Sequence, residues 1–447
     1  MKKSLIAVAV LGVFASAAYA DEGLFHFTKD DTSLELYGIL DAAVVTQNHA
    51  YSSLNNTLPN QSYSYVGKIF NSAPSATAAV NGGLSDSRLG LKGSTGLPAD
   101  MKAIFDFESG FDITNLGLNN AANTLAKNPA PSGNTASKNY PNTLYADSSL
   151  NGQVLNRAAW YGVEASWGKL TFGTQNNPVK DAIVAYDPVK SDTFSPFGES
   201  GTVGGGVGSS EESRLHHSLK YTTKFGNGFD ASVAYQWGND WSTSYGKTYA
   251  ARVGYDTGNL GLTAAYSNSK DAIVATNGAT LNTIKMQVFD VDGYLLAAKY
   301  KATDDLHISG GYEHYDRKAP GDALQLIGSI WGFTVSSTVP GFTTPGESQT
   351  FKIYFAGGDY DFTPGLNLAV GYYNTKADTV SIGTANTDYT IGTWSSVLDY
   401  KFTKTLDFYA AATVNSYGGG VYNAAAATAT PYATTVTAYG VGARFKF

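Results

Sequence analysis

Apolar and polar residues alternate with a period of two along most of the chain. In 366–373, LNLAVGYY, the residues Leu366, Leu368, Val370 and Tyr372 share one parity, opposed by Asn367, Ala369 and Gly371. In 406–415, LDFYAAATVN, Leu406, Phe408, Ala410, Ala412 and Val414 oppose Asp407, Tyr409, Thr413 and Asn415. The stretch 229–237 sets Phe229, Val233, Tyr235 and Trp237 against Asp230, Ser232 and Gln236. The last residues do the same, with Tyr439, Val441, Ala443, Phe445 and Phe447 against Gly440, Gly442, Arg444 and Lys446. A strand sends successive side chains to opposite faces, so each of these segments is a strand with one greasy and one polar face.

Sixteen such segments are predicted: 33–46, 84–95, 101–112, 157–166, 168–175, 214–224, 229–238, 248–257, 260–270, 292–302, 306–318, 349–361, 366–376, 392–402, 406–417 and 434–447. Short connections (TGN, TDD, FTPG, TKT) alternate with long polar ones such as 113–156 and 319–348. In a soluble sandwich the apolar faces would pack together and the polar faces would meet water. Here the apolar faces end in Tyr, Trp or Phe, and the opposite faces carry Asp, Arg and Lys, too much charge for a packed core. Turning the apolar face outward to lipid and the polar face inward to water resolves the conflict. Only a closed barrel can place a sheet in lipid, because an open edge leaves backbone groups unpaired. The expectation is an all-β chain: a 16-stranded antiparallel transmembrane β-barrel with aromatic girdles.

The N-terminus sharpens this picture. Lys2 and Lys3, a short apolar run and the ending Ala18-Tyr19-Ala20 have the form of a cleaved signal peptide over 1–20, leaving 21–447 as the barrel domain. Its removal takes the formal charge from −7 to −9. The chain has no cysteine, 30 Tyr and 49 Gly, so no disulfide scaffold holds it. No other stretch approaches the ~18 apolar residues of a spanning helix. Neither the acidic balance nor any basic cluster points to nucleic acid.

LYGILDAAV (36–44), SRLGLKGSTGL (87–97), WYGVEASWGKLTFGTQ (160–175), SLKYTTKFGNGFDASVAYQ (218–236) and the terminal YGVGARFKF resemble the general diffusion porins of Gram-negative outer membranes, most of all the neisserial branch and its relatives. The resemblance implies a trimeric barrel in the outer membrane, in contact with lipid and lipopolysaccharide. It implies assembly by machinery that reads a C-terminal aromatic, here Phe447. It also implies an inward-folded third extracellular loop that narrows the pore. The segment order puts that loop between the fifth and sixth strands, at 176–213.

This loop holds Asp181, Asp187, Asp192, Glu199, Glu211 and Glu212 against only Lys180 and Lys190. Asp187, Asp192 and Glu199 are the candidate constriction acids, with Glu211 and Glu212 read as solvated. The family's Pro-Glu-Phe-Gly-Gly-like turn is replaced by Ser195-Pro196-Phe197-Gly198-Glu199, which moves the acid past the glycine. Facing such a loop the family places wall arginines, and Arg88, Arg157 and Arg214 match them, while Ile39 replaces a fourth cation. Parity puts Arg88 with Lys92, and Arg214 with Lys220, on the lumen side. Arg157 shares the lipid-side parity of Tyr161 and Val163, and faces inward only if the loop junction reorients it.

The function these features imply is a water-filled channel for passive diffusion of small hydrophilic solutes and ions, without cofactor, metal or catalytic residues. Two alternatives stay open: a channel preferring a sugar or organic acid, and a barrel acting mainly as surface adhesin or scaffold. His216 and His217 point to opposite faces of a strand, a poor arrangement for a hydrolase or a metal pair. GGGVG (204–208) lacks the Gly-Lys-Ser/Thr that a phosphate loop requires. The −9 charge favours cations, but Lys92, Lys220, Arg252, Lys299, Lys352 and Arg444 at lumen parity oppose it, so any cation preference is expected to be mild. Asp106 and Glu108 are expected to line the wall, screened by cations such as Lys102.

Overall fold

The computed structural model describes residues 25–48, 75–114, 116–118, 154–155, 157–191, 194–199, 214–237, 247–277, 284–318, 329–330, 333–334, 349–382, 385–419 and 434–447. Sixteen antiparallel staves close on themselves. They are β1 (Thr32–Gln47), β2 (Ala76–Asn81 and Arg88–Leu97), β3 (Met101–Asp112), β4 (Ala158–Ala165), β5 (Gly168–Asn176), β6 (Arg214–Phe225), β7 (Phe229–Gln236) and β8 (Thr248–Asp256). The second half comprises β9 (Leu260–Asn277), β10 (Ile284–Lys301), β11 (Leu306–Lys318), β12 (Gln349–Thr363), β13 (Leu366–Ile382), β14 (Ala385–Lys401), β15 (Leu406–Gly419) and β16 (Thr435–Lys446). Each pairs with its sequence neighbours, and β16 pairs with β1 from Ile39↔Lys446 to Gln47↔Ala438 to complete the ring.

The first and last staves meet at this seam. Gly38 N donates to Phe447 O at 2.8 Å and Phe447 N to Gly38 O at 3.1 Å. Just beyond, a short strand, Phe25–Lys29, continues along the same edge of β1, pairing Phe25↔Leu36 to Lys29↔Thr32. No edge strand is left open there, as lipid demands. The second stave differs from the sequence expectation. It is split by residues 82–87, and both halves pair with β1. The break is held by Asp41, whose carboxylate accepts from the backbone N–H groups of Gly83, Leu84 and Ser85 and from the Tyr409 hydroxyl.

Burial follows the predicted parity. Val44, Tyr161, Trp394 and Val441 are more than half exposed on the outer face, while Asp41, Ser218, Ser232, Thr393 and Ser395 are buried on the inner one. The interior nevertheless contains an apolar core that a uniformly wet lumen would lack. Val291, Leu295, Tyr315, Phe351, Ile353, Phe355, Tyr373 and Ile391 project inward from β10 to β14 and cluster with residues of the 176–213 connection. The lumen is two-sided, with an apolar strip on β10–β14 and a charged wall on β1–β6.

Candidate functional site

The connection after β5 enters the barrel as a helix, α1 (Pro178–Tyr186). Its start is locally encoded: Asn177 caps it by accepting from Val179 N at 2.9 Å, and Pro178 occupies the first turn, where no backbone donor is needed. Asn177 also donates to Ser267 Oγ at 3.1 Å, fastening the entry to β9. Val179, Ala182, Ile183 and Tyr186 are buried as α1 packs on the inner faces of β7–β11. A short turn of helix, α2 (Pro196–Glu199), follows.

Phe197 stacks edge-on against Phe355 (5.1 Å) and Tyr373 (5.6 Å). Two wall glycines make room for the segment. A Cβ at Gly357 would lie 2.8 Å from Pro188 Cβ, and one at Gly371 would lie 3.0 Å from Val189 Cγ2. Burial of Ile183, Tyr186, Phe194 and Phe197 contributes roughly 1.5–3 kcal/mol for each side chain, enough to hold the loop inside rather than in water.

Asp187 belongs to this docking interface. It is 4 % exposed and accepts from Ser195 Oγ (2.7 Å), Val189 N (3.2 Å) and the Tyr373 hydroxyl. Burial pushes its carboxyl above the usual range, although these hydrogen bonds pull the other way. The residue read as a constriction acid is therefore a buried anchor, turned to the wall. The reason is local: the Tyr373 hydroxyl supplies a donor that the sequence pattern of the loop does not reveal.

The opposite wall is densely charged. Glu108 on β3 is gripped by Arg157 Nε at 2.6 Å and approached by Arg88 Nε at 3.4 Å. Arg157 also reaches Asp86, in the 82–87 break, at 2.6 Å. Tyr37 donates to Asp106 (2.8 Å) and Glu108 (3.1 Å). Lys92 pairs with Glu35 at 2.9 Å, and Lys169 lies 4.0 Å over the Trp160 ring. Lys220 binds Asp181 at 2.5 Å and the Asn176 carbonyl at 3.0 Å, linking the wall to the first turn of α1. The registers set Arg88 opposite Gly110, Arg157 N on the Glu108 carbonyl and Arg214 opposite Asn176, so the three arginines lie at one level.

Arg157 faces inward despite its parity, because β4 starts only at Ala158 and the preceding residue belongs to the junction. Lys352, assigned to the lumen by parity, shares the outer face with Tyr354, which is 47 % exposed, and binds Asp378 at 2.7 Å. Asp106 and Glu108 are matched by Tyr37, Arg157 and Arg88 rather than by Lys102. Asp181, a loop acid outside the candidate constriction set, pairs with the wall, and the 82–87 break interrupts the predicted strand 84–95, where the double glycine Gly82-Gly83 is a sequence signal for it. His216 meets Thr174 Oγ1 at 3.2 Å, while His217 is exposed with a φ of 45°, so the rings diverge. The 1–20 segment, Asp192, Glu211, Glu212 and residues 204–208 lie outside the described residues, as does the side chain of Glu199.

The chain matches the model of a protein family described as Gram-negative porin over residues 7–420. An outer membrane porin protein of Bordetella pertussis is 27 % identical over 236 residues, 53 % of this chain and 48 % of that protein, so the match spans about half the relative's length. Among solved structures, an anion-selective porin from Comamonas acidovorans aligns over 93 % of this chain and 100 % of its own, with a TM-score of 0.57 and 15 % identity. OmpT, an outer membrane protein of Vibrio cholerae, aligns over 96 % and 100 % with a TM-score of 0.56 and 14 % identity. At these identities the likeness speaks to the fold: a closed antiparallel barrel.

Proposed function

Because the chain belongs to the Gram-negative porin family, we propose that it forms a water-filled channel across the outer membrane through which small hydrophilic solutes and ions diffuse passively. The observation that carries this reading is the two-sided interior. Ile183, Tyr186, Val189, Phe194 and Phe197 of the 176–213 connection pack in one core with the apolar strip of β10–β14, which leaves the charged wall of β1–β6 as the lining of the open path. Arg88, Lys92, Arg157, Arg214 and Lys220 supply positive charge to that path. Glu35, Asp86, Asp106, Glu108 and Asp181 stand beside them.

Opposed fixed charges across a narrow passage order the water between them. A polar solute exchanges that water for equivalent contacts, whereas an apolar one displaces it without compensation, so passage is sorted by size and polarity. Near-balance of the two signs makes the channel weakly ion-selective. The protein works as a homotrimer in lipid and lipopolysaccharide, placed there by the barrel assembly machinery through Phe447. The trimer is supported by likeness to OmpT, one of whose structures is a trimer form. The test is swelling of proteoliposomes in sugars of increasing size: rates should fall smoothly with solute size and show no saturation, and vesicles that do not swell would overturn the reading.

A further inference from the structure

A separate cluster sits at the short-turn end of the barrel, the periplasmic end in such proteins, remote from the arginine level. His307 opens β11 two residues after the turn 302–305, and Asp359 and Asp361 lie at the close of β12. Their neighbours Ile308, Tyr360 and Phe362 are exposed on the outer face, so these three side chains point into the vestibule. His307 and Asp359 are register partners, with Nδ1 and Oδ2 3.1 Å apart. One ligand atom from each of His307, Asp359 and Asp361 lies within 4.8 Å of the others, and all three residues are partly buried.

Ligands of a tetrahedral ion bonded at about 2.0–2.1 Å stand roughly 3.3 Å apart. The His307–Asp359 pair already has nearly this spacing, and a small turn of Asp361 closes the third side. Asn367, across from Asp361 on β13, donates to Asp359 Oδ2 (3.2 Å) and Asp361 Oδ1 (2.9 Å). It tethers both carboxylates by hydrogen bonds, as polar neighbours do around a bound metal. A neighbouring cation, Lys301, the register partner of His307 on β10, binds Asp304 in the turn at 2.8 Å. On the far side Asp399, opposite Asn367, is met by Arg444 at 3.3 Å.

We propose that His307, Asp359 and Asp361 form a divalent transition-metal site of the zinc class in the periplasmic vestibule. One imidazole and two carboxylates suit Zn2+, whereas Ca2+ and Mg2+ seek six or more oxygens. Occupancy changes the local charge of the two carboxylates from −2 to zero, so the metal biases the vestibule toward anions.

The test is equilibrium dialysis of the full-length detergent-solubilised protein against ZnCl2, with Co2+ as a visible-absorbing replacement. The wild type should hold one zinc per chain at micromolar free metal and show a cobalt d–d band. His307→Gln and Asp359→Asn should each weaken binding at least about tenfold and abolish the band. His314→Gln, on the outer face against Tyr294, should bind as the wild type does. A wild type that takes up no zinc at millimolar concentration, or a His307→Gln variant that takes up as much, would overturn the proposal. These readouts are made without a membrane, so they fail independently of the channel reading.

Discussion

At the residue scale, Asp187 shows how a charge can serve the loop rather than the permeating solute. Its carboxyl is pushed up by burial, so the docked loop favours the neutral acid. A raised value means that its contribution to docking is complete below the ordinary aspartate range and declines as pH rises through the raised one. Lowering the pH from neutral toward that range should quiet loop-derived current noise, and Asp187→Asn should flatten the pH dependence. A noise spectrum equally steep in pH for the variant would refute this role. Tyr373→Phe removes a donor from a buried carboxylate and should weaken docking by about 1–3 kcal/mol, read as increased open-channel noise at neutral pH. Neither role was legible in the sequence. An acid in a polar loop looks the same whether it faces water or a wall tyrosine 186 residues away. Arg157 was misplaced by parity for a related reason, since alternation loses its meaning one residue outside a strand.

At the element scale the sequence was far more informative, because a strand between lipid and water must alternate. All sixteen staves overlap their predicted segments, and the loop between the fifth and sixth lies where the order placed it. The discrepancies are at the long-loop ends. β9 and β10 run on to Asn277 and back from Ile284, past the predicted 260–270 and 292–302. Outside the membrane a hairpin extends on backbone pairing, with no lipid to impose alternation on it: Ala272-Ile273-Val274-Ala275 breaks the pattern in β9. The split in β2 escaped notice because its cause, the Asp41 carboxylate, lies on another strand.

The seam gives a prediction at this scale. Deleting Phe447 removes its two backbone hydrogen bonds to Gly38 and the ring packed over that glycine, where a Cβ would come within 2.5 Å. The folded fraction, measured by heat-modifiable gel mobility after refolding into lipid, should drop several-fold, as should that of Gly38→Val. The barrels that do form should conduct normally. Wild-type yield from both variants would contradict the seam's role.

At the scale of the whole molecule, function follows from the division of the interior. An apolar strip captures the loop, and a charged wall with mixed signs is left to water. Composition showed an exported barrel, but not this asymmetry, because inward-facing Phe351, Ile353 and Phe355 read as part of a greasy strand whichever way they point. The charge clusters around Glu108 predict opposite effects from opposite changes. Glu108→Gln should move the reversal potential in a salt gradient toward anions, and Arg157→Gln should move it toward cations, each by several millivolts, since local fixed charge biases ion entry. Shifts of the same sign, or none, would show that the arginine level does not border the ion path.

The most direct measurement is the single-channel current of the purified protein in a planar bilayer, with and without millimolar sugars. Stepwise, ohmic conductance that sugars leave unchanged is the expected result, because polar solutes cross a wet path of mixed charge. Insertion without conductance would mean that the loop fills the barrel and leaves no channel, and the central claim would fall.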